Sequence, residues 1–228
     1  MPSWPAQLQL ASSALPIGGF SYSGGLEAAV ACGRIRDAAD ALAWIGIQLD
    51  PLWATGDARL WLQCHAAWTD HDHITLRTVN ARLLAQRDSA ELRLESTQMG
   101  RSLALWLMRL DPDSTRLDAP RRALLDQGLP PLTHVCAHAA AAWALGLTPA
   151  EGLQALGWSL VEAQVGAAVR LLPLGQTAGQ QLLQTLGARL PAALARTCAA
   201  PAEIRNFAPM LGLYSARHES QYSRLFRS

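Results

Sequence analysis

Side chains that could bind a metal ion occur at two places in the sequence. Asp70, His71, Asp72 and His73 are consecutive, and His134 and His138 lie four residues apart with Cys136 between them. Two imidazoles one helical turn apart can share a metal ion, but this spacing is also common on ordinary helices. His134 is not followed by the Glu of an HExxH site, and the acidic cluster is equally typical of a helix boundary. The metal ligands therefore stay unknown at this stage.

The sequence shows no pattern that indicates a catalytic site. It contains no lysine, which excludes a phosphate-loop lysine and a Schiff-base lysine, and it has no GxSxG nucleophile motif. Glu91 and Glu95 are spaced to share a helix face, but Arg87 four residues earlier predicts an ordinary surface charge ladder. Glu162 lies in an apolar stretch and needs a polar partner, for which Arg170 is a candidate. We predict that the protein is not an enzyme, and an unrecognised helical enzyme stays an alternative.

Composition predicts a globular all-α protein. Of the 228 residues, 50% are hydrophobic and 16% are charged, and the formal net charge is +1. Ala and Leu are abundant while Val and Ile are scarce, which favours helices over strands. A nearly neutral chain has no general attraction to nucleic acid or to anionic membranes. The four cysteines form no CxxC pair and the first residues do not resemble a signal peptide, so we expect reduced, buried thiols and a cytoplasmic location.

Helix signals recur along most of the chain. Asp37 is a good N-cap for a helix that Pro51 should kink or end near Asp50, and Thr133 can cap a helix that ends near Gly146. Thr148-Pro149-Ala150-Glu151 has the pattern of a capping box with Pro at the first helical position. Further helices are predicted at about 55–68, 74–110 (as two helices), 148–172 and 176–199, with residues 111–131 forming a loop that contains a short helix at most. We predict one domain over residues 1–228, a bundle of about eight to ten helices.

The first unusual segment is the glycine-rich region within residues 1–27. Between residues 15 and 27 two glycine pairs flank aromatic and hydroxyl residues in the sequence LPIGGFSYSGGLE. The glycines permit tight turns, and Ser23 can cap the following helix. A loop cannot easily bury both Phe20 and Tyr22, and aromatic loop residues often anchor a binding partner. A binding surface is therefore favoured over a phosphate-binding loop.

The second unusual segment comprises residues 203–228. Its aromatic residues Tyr214, Tyr222 and Phe226 occur together with Arg217, Arg224 and Arg227, a composition that resembles a protein interface more than a core. If residues 212–227 are helical, Tyr214, His218 and Tyr222 share one face. The segment either docks on its own domain or is ordered by a partner.

Several segments resemble the UreF family of urease accessory proteins. They are LPIGGFSYSGGLE at 15–27, RDSAELR at 87–93 with Gly100 after it, VEAQVGAAVRLLPLGQ at 161–176, and SARHESQYSRLFRS at 215–228. The resemblance extends over nearly the whole chain. Arg170 stands where the family often has lysine, and Gly24 where a larger residue is common.

The resemblance implies an all-helical homodimer that assembles with UreD (also called UreH), with the GTPase UreG and with apo-urease. This complex inserts nickel into apo-urease with GTP hydrolysis by UreG. It also implies that no cofactor is tightly bound, while nickel can be in transit, through an internal channel if one exists. The residues expected to face UreD are Phe20, Tyr22, Arg217, His218, Tyr222 and Arg224. Arg87, Glu91 and Arg170 are weaker candidates for contact with UreG.

A function of another class is a helical, ligand-responsive DNA-binding regulator. Such a protein needs a basic recognition helix near its N-terminus. The first 60 residues contain only Arg34, Arg36 and Arg59 as basic side chains other than histidine. The sequence therefore favours an accessory protein that binds other proteins, with neither nucleic acid nor membrane as a partner.

Overall fold

The computed structural model describes residues 3–110, 117–127, 131–199 and 203–228, in which helices alternate with loops and there is no strand. The all-α class is confirmed. The α-helices are α1 (Trp4–Ala11), α2 (Leu26–Ala31), α3 (Ala38–Ile47), α4 (Ala58–Asp70), α5 (His73–Ala85), α6 (Ala90–Leu110), α7 (Ala119–Gln127), α8 (His134–Ala144), α9 (Pro149–Leu171), α10 (Gln176–Gly187), α11 (Leu190–Cys198) and α12 (Pro209–Glu219). A short 3-10 helix covers Gly19–Ser21, and a π-helix covers Gln48–Asp57.

The core is one continuous cluster centred on the alanine-rich helix α8. Residues 139–142 of this helix are completely buried, and α8 contacts α4, α6 and α9. Small side chains let the neighbouring helices approach closely. A Cβ atom added to Gly152 of α9 would lie 2.6 Å from the Trp61 ring, and one added to Gly100 of α6 would collide with the backbone at Leu132. Glycine therefore sets the distances between these helices.

Local capping determines several of the predicted helix starts. Asp37 Oδ1 accepts hydrogen bonds from the backbone N–H groups of Ala39 and Asp40, both at 2.9 Å. Thr148 and Glu151 form the complete capping box that opens α9. The acidic cluster at residues 70–73 is a helix boundary, where Asp72 caps α5 through its side chain. These three predictions are confirmed.

The regular α-helix α3 ends at Ile47, close to the kink or end that Pro51 predicts near Asp50. The chain continues from α3 through the π-helix, which contains Pro51, directly into α4. Arg189 and Arg196 both bind the Asp50 carboxylate, and Arg205 donates its backbone N–H to the carbonyl oxygen of Thr55 at 3.0 Å. These tertiary contacts override the local effect of proline, and the wider π turn accommodates it.

The short helix allowed within the predicted loop at 111–131 is α7, whereas residues 111–116 and 128–130 lie outside the described part of the chain. Cys64 and Cys136 are buried free thiols as predicted, but Cys32 and Cys198 are exposed. Among the described helices, none is both long enough and apolar enough to cross a membrane.

Candidate partner-binding site

The glycine-rich loop folds back so that α12 lies against it. Gly18, Gly24 and Gly25 have φ angles of 76°, 57° and 79°, in the left-handed region that glycine adopts without strain. A Cβ atom added to Gly25 would lie 3.2 Å from the backbone nitrogen of Ser215 in α12. The two unusual segments of the sequence therefore meet in the folded chain.

Glu27 in the first turn of α2 anchors the residues that follow α12. Its carboxylate accepts hydrogen bonds from the backbone N–H groups of Leu225 at 2.7 Å and Phe226 at 2.8 Å. The positive end of the α2 dipole favours a carboxylate at this position. Glu27 is almost completely buried, so these bonds also satisfy a charge that would otherwise be costly to bury. Residues 220–228, which we call the tail, are fixed here.

His218 connects this anchor to α6. The imidazole is completely buried, with Nε2 at 3.1 Å from Glu27 Oε2 and Nδ1 at 2.7 Å from Glu91 Oε2. Glu91 lies in the first turn of α6, and Arg224 of the tail binds its other oxygen at 2.8 Å. One histidine therefore joins two carboxylates that belong to helices distant in sequence.

Further contacts tie the tail to the loop. The Ser23 backbone N–H donates to the Ser228 carbonyl oxygen at 2.7 Å, and the Arg227 N–H donates to Ser21 O at 2.8 Å. The Arg170 guanidinium stacks over the Phe226 ring at 4.3 Å. We define the loop–tail site as residues 19–27 and 215–228 together with Glu91, Glu95 and Arg170.

The outer face of the loop–tail site carries exposed apolar side chains. Phe20 is 63% exposed, Leu225 is 62% exposed and Tyr222 is completely exposed, while Arg217 is also at the surface. Aromatic residues and arginine are the side chains most enriched at interface hot spots. Because the surrounding backbone is held by hydrogen bonds, these side chains are presented on an ordered surface.

The structure brings all six residues that were predicted to face a partner into this site, but in two roles. Phe20, Arg217, Tyr222 and Arg224 lie on its surface, whereas Tyr22 and His218 lie inside it. The Tyr22 hydroxyl donates to Gln98 Oε1 at 2.6 Å, and burial raises the pKa of this tyrosine. Tyr22 and His218 therefore support the surface rather than offering a side chain to a partner.

The proposed helical face of Tyr214, His218 and Tyr222 is wrong, because α12 ends at Glu219. The Ser220 and Gln221 backbone N–H groups bond to Arg217 O and His218 O, which closes the last turn. The tail then continues without helix, since Glu27 takes the N–H groups of Leu225 and Phe226 that a helix would use internally. Tyr222 points to solvent for this reason.

Arg87 and Glu91 do not form the predicted surface ladder. Arg87 precedes α6 and is largely buried, and its Nη2 binds Asp57 Oδ2 at 2.8 Å. Burial alone would lower the pKa of Arg87, but the Asp57 carboxylate outweighs burial and raises it. Glu162 bonds to the backbone of Ser13 rather than to Arg170, and burial raises its pKa. Of the three residues considered for UreG, Glu91 and Arg170 belong to the loop–tail site, and Arg87 lies inside the protein.

A cavity of about 490 Å³ lies behind the loop–tail site. Burial raises the pKa of the Glu95 carboxyl, although Ser228 Oγ donates a hydrogen bond to it at 2.7 Å. Within the described residues, Asp57 Oδ1 and Ser96 Oγ have no hydrogen-bond partner. The cavity was not predicted, because its walls come from segments far apart in sequence. Its ionisable lining includes Tyr22, Asp57, Arg87, Glu95, His134 and Glu162.

The two histidine clusters do not form a metal site in the part of the chain that the structure describes, where no group of three or more His, Cys, Asp or Glu side chains is placed to hold an ion. His134 and His138 belong to the interior of the fold, and the Trp61 indole N–H donates to His138 Nδ1 at 3.1 Å. Burial lowers the pKa of His134 to about 4 and that of His138 to about 3. Both imidazoles are therefore neutral at pH 7.

These lowered pKa values predict that the protein loses stability in mild acid. An unfolded histidine takes up a proton below about pH 6.5, whereas the two folded imidazoles resist protonation until about pH 4 or lower. The free energy of unfolding should therefore fall as the pH decreases from 6.5 to 4, by up to about 1.4 kcal/mol per pH unit for each histidine. Urea denaturation between pH 7.5 and 4.5 measures this slope.

His138→Gln is the control for this prediction, because it retains an acceptor for Trp61 and cannot titrate. The variant should show a shallower decline with pH than the wild type. An unchanged slope would contradict the role of His138. Glu95 and Glu162, whose raised pKa values act in the opposite direction, are present in both proteins and do not affect the comparison.

The fold and site are typical of an all-α protein that acts by binding other proteins: an ordered loop and tail present aromatic and arginine side chains. Comparison with known proteins agrees with this class. The UreF family model matches residues 35–187, and the chain belongs to the UreF family of urease accessory proteins. No part of the loop or tail lies within that match, but full-length relatives extend over both.

Several relatives carry the family name. Urease accessory protein UreF of Cupriavidus metallidurans is 45% identical over 100% of this chain and 99% of its own length. UreF of Azoarcus sp. is 46% identical over 97% of this chain and 94% of its own length. The bifunctional urease accessory protein UreEF of Bordetella bronchiseptica is 47% identical over 98% of this chain, which spans 51% of that protein.

Proposed function

We propose that this chain is a non-enzymatic assembly factor that bridges UreD (UreH) and the GTPase UreG during nickel insertion into apo-urease. The observation that carries the proposal is the loop–tail site, where the two segments with the most interface-like composition form one ordered surface. In this proposal nickel passes through the complex as cargo and the chain holds no cofactor tightly.

UreD is the partner that we assign to the exposed face of this site. Phe20, Tyr222 and Leu225 provide apolar contact area, and Arg217 and Arg224 provide charged donors around it. Interfaces of this kind derive most of their affinity from a few aromatic and arginine side chains. Tyr22 and His218 contribute by fixing the backbone underneath.

The residues that we assign to UreG act less directly than those that we assign to UreD. Arg87 is buried against Asp57, and Glu91 and Arg170 hold the tail through Arg224 and Phe226. We therefore propose that these three residues influence UreG through the position of the tail rather than by direct contact. The occurrence of a bifunctional UreEF relative supports a role in which accessory proteins act together.

A homodimer in the cytoplasm completes the proposal. Neither the dimer interface nor the direction of control over GTP hydrolysis is assigned. No feature of the described structure favours a DNA-binding regulator.

Co-expression with partners tests this proposal. Tagged UreD, untagged UreG and this chain are produced together and purified on the tag in 0.5 M salt. Exposed ion pairs are largely screened at such a concentration, because the Debye length falls to about 3 Å at 1 M salt. The proposal predicts that this chain is retained with UreD and that UreG is retained only when this chain is present. Retention of UreG without this chain would overturn the bridging role.

A further inference from the structure

We draw no further inference here: the strongest candidate, the cavity of about 490 Å³ between α6, α9 and the glycine-rich loop, is lined by Phe20, Tyr22, Glu95 and Arg170 and so belongs to the loop–tail site already described.

Discussion

Deletion of residues 221–228 is expected to abolish co-purification with UreD while the far-UV circular dichroism of the chain keeps its helical shape. The last helix, α12, ends at Glu219, so the deleted residues contain no helix. The deletion does remove Tyr222 and Leu225 from the surface and frees the loop contacts of Arg227 and Ser228. It therefore destroys the outer face of the loop–tail site without removing a helix from the bundle.

Tyr222→Ala separates loss of contact from loss of tail docking. This side chain is completely exposed, so its removal should leave the melting temperature unchanged. If it is an interface anchor, binding to UreD should weaken by about 2 kcal/mol, or roughly thirtyfold, measured by titration with labelled UreD. Retention of the truncated chain on UreD at the wild-type level would contradict the assignment of this surface.

His218→Ala is expected to destabilise the protein by about 3 kcal/mol or more, because it leaves one oxygen of each of two buried carboxylates without its hydrogen-bond partner. The variant would leave the buried carboxylates of Glu27 and Glu91 facing a void between them. Glu91 would retain Arg224, and Glu27 would retain the two tail N–H groups. Chemical denaturation at pH 7 measures the loss.

Arg217→Ala is the control for this experiment, because the residue is adjacent in sequence but exposed, and its guanidinium donates a hydrogen bond to Cys32 Sγ at 3.6 Å. It should change the free energy of unfolding by less than about 0.5 kcal/mol. A loss below about 1 kcal/mol for His218→Ala would mean that the bridge does not hold the tail.

Local sequence signals were sufficient for much of the fold. Asp37 and the Thr148–Glu151 capping box start helices where their side chains satisfy the free N–H groups of the first turn, which depends on residues three or fewer positions apart. The helix-rich composition predicted the fold class for a related reason: propensity acts residue by residue. Such information is readable without knowledge of tertiary contacts.

The features that local patterns missed depend on long-range contacts. The chain stays helical through Pro51, as a π-helix, where Arg189 and Arg196 bind Asp50 from more than a hundred residues away. The helix α12 stops before Tyr222 because Glu27, almost two hundred residues earlier, captures the N–H groups of the tail. No local pattern contains either contact.

The candidate site was predictable as two pieces but not as one. The aromatic loop residues and the arginine-rich tail were each interpreted as binding segments from composition. Their meeting depends on Glu27, which sits in the quoted loop motif but was not singled out. A carboxylate in the first turn after two glycines is a signal that could have identified Glu27. Such a carboxylate is favoured at a helix N-terminus, and its oxygens can accept hydrogen bonds from backbone N–H groups. The cavity behind the site had no comparable signal.

Activation of apo-urease is the most direct test of the central claim that this chain is a non-enzymatic assembly factor. Purified apo-urease, UreD, UreG, nickel and GTP are combined with and without this chain, and the rate of urea hydrolysis and the nickel content of re-isolated urease are measured. The account predicts that urease gains nickel and activity only when this chain is present, and that this chain alone hydrolyses neither urea nor GTP. Equal activation in its absence, or GTP turnover by a preparation free of UreG, would contradict it.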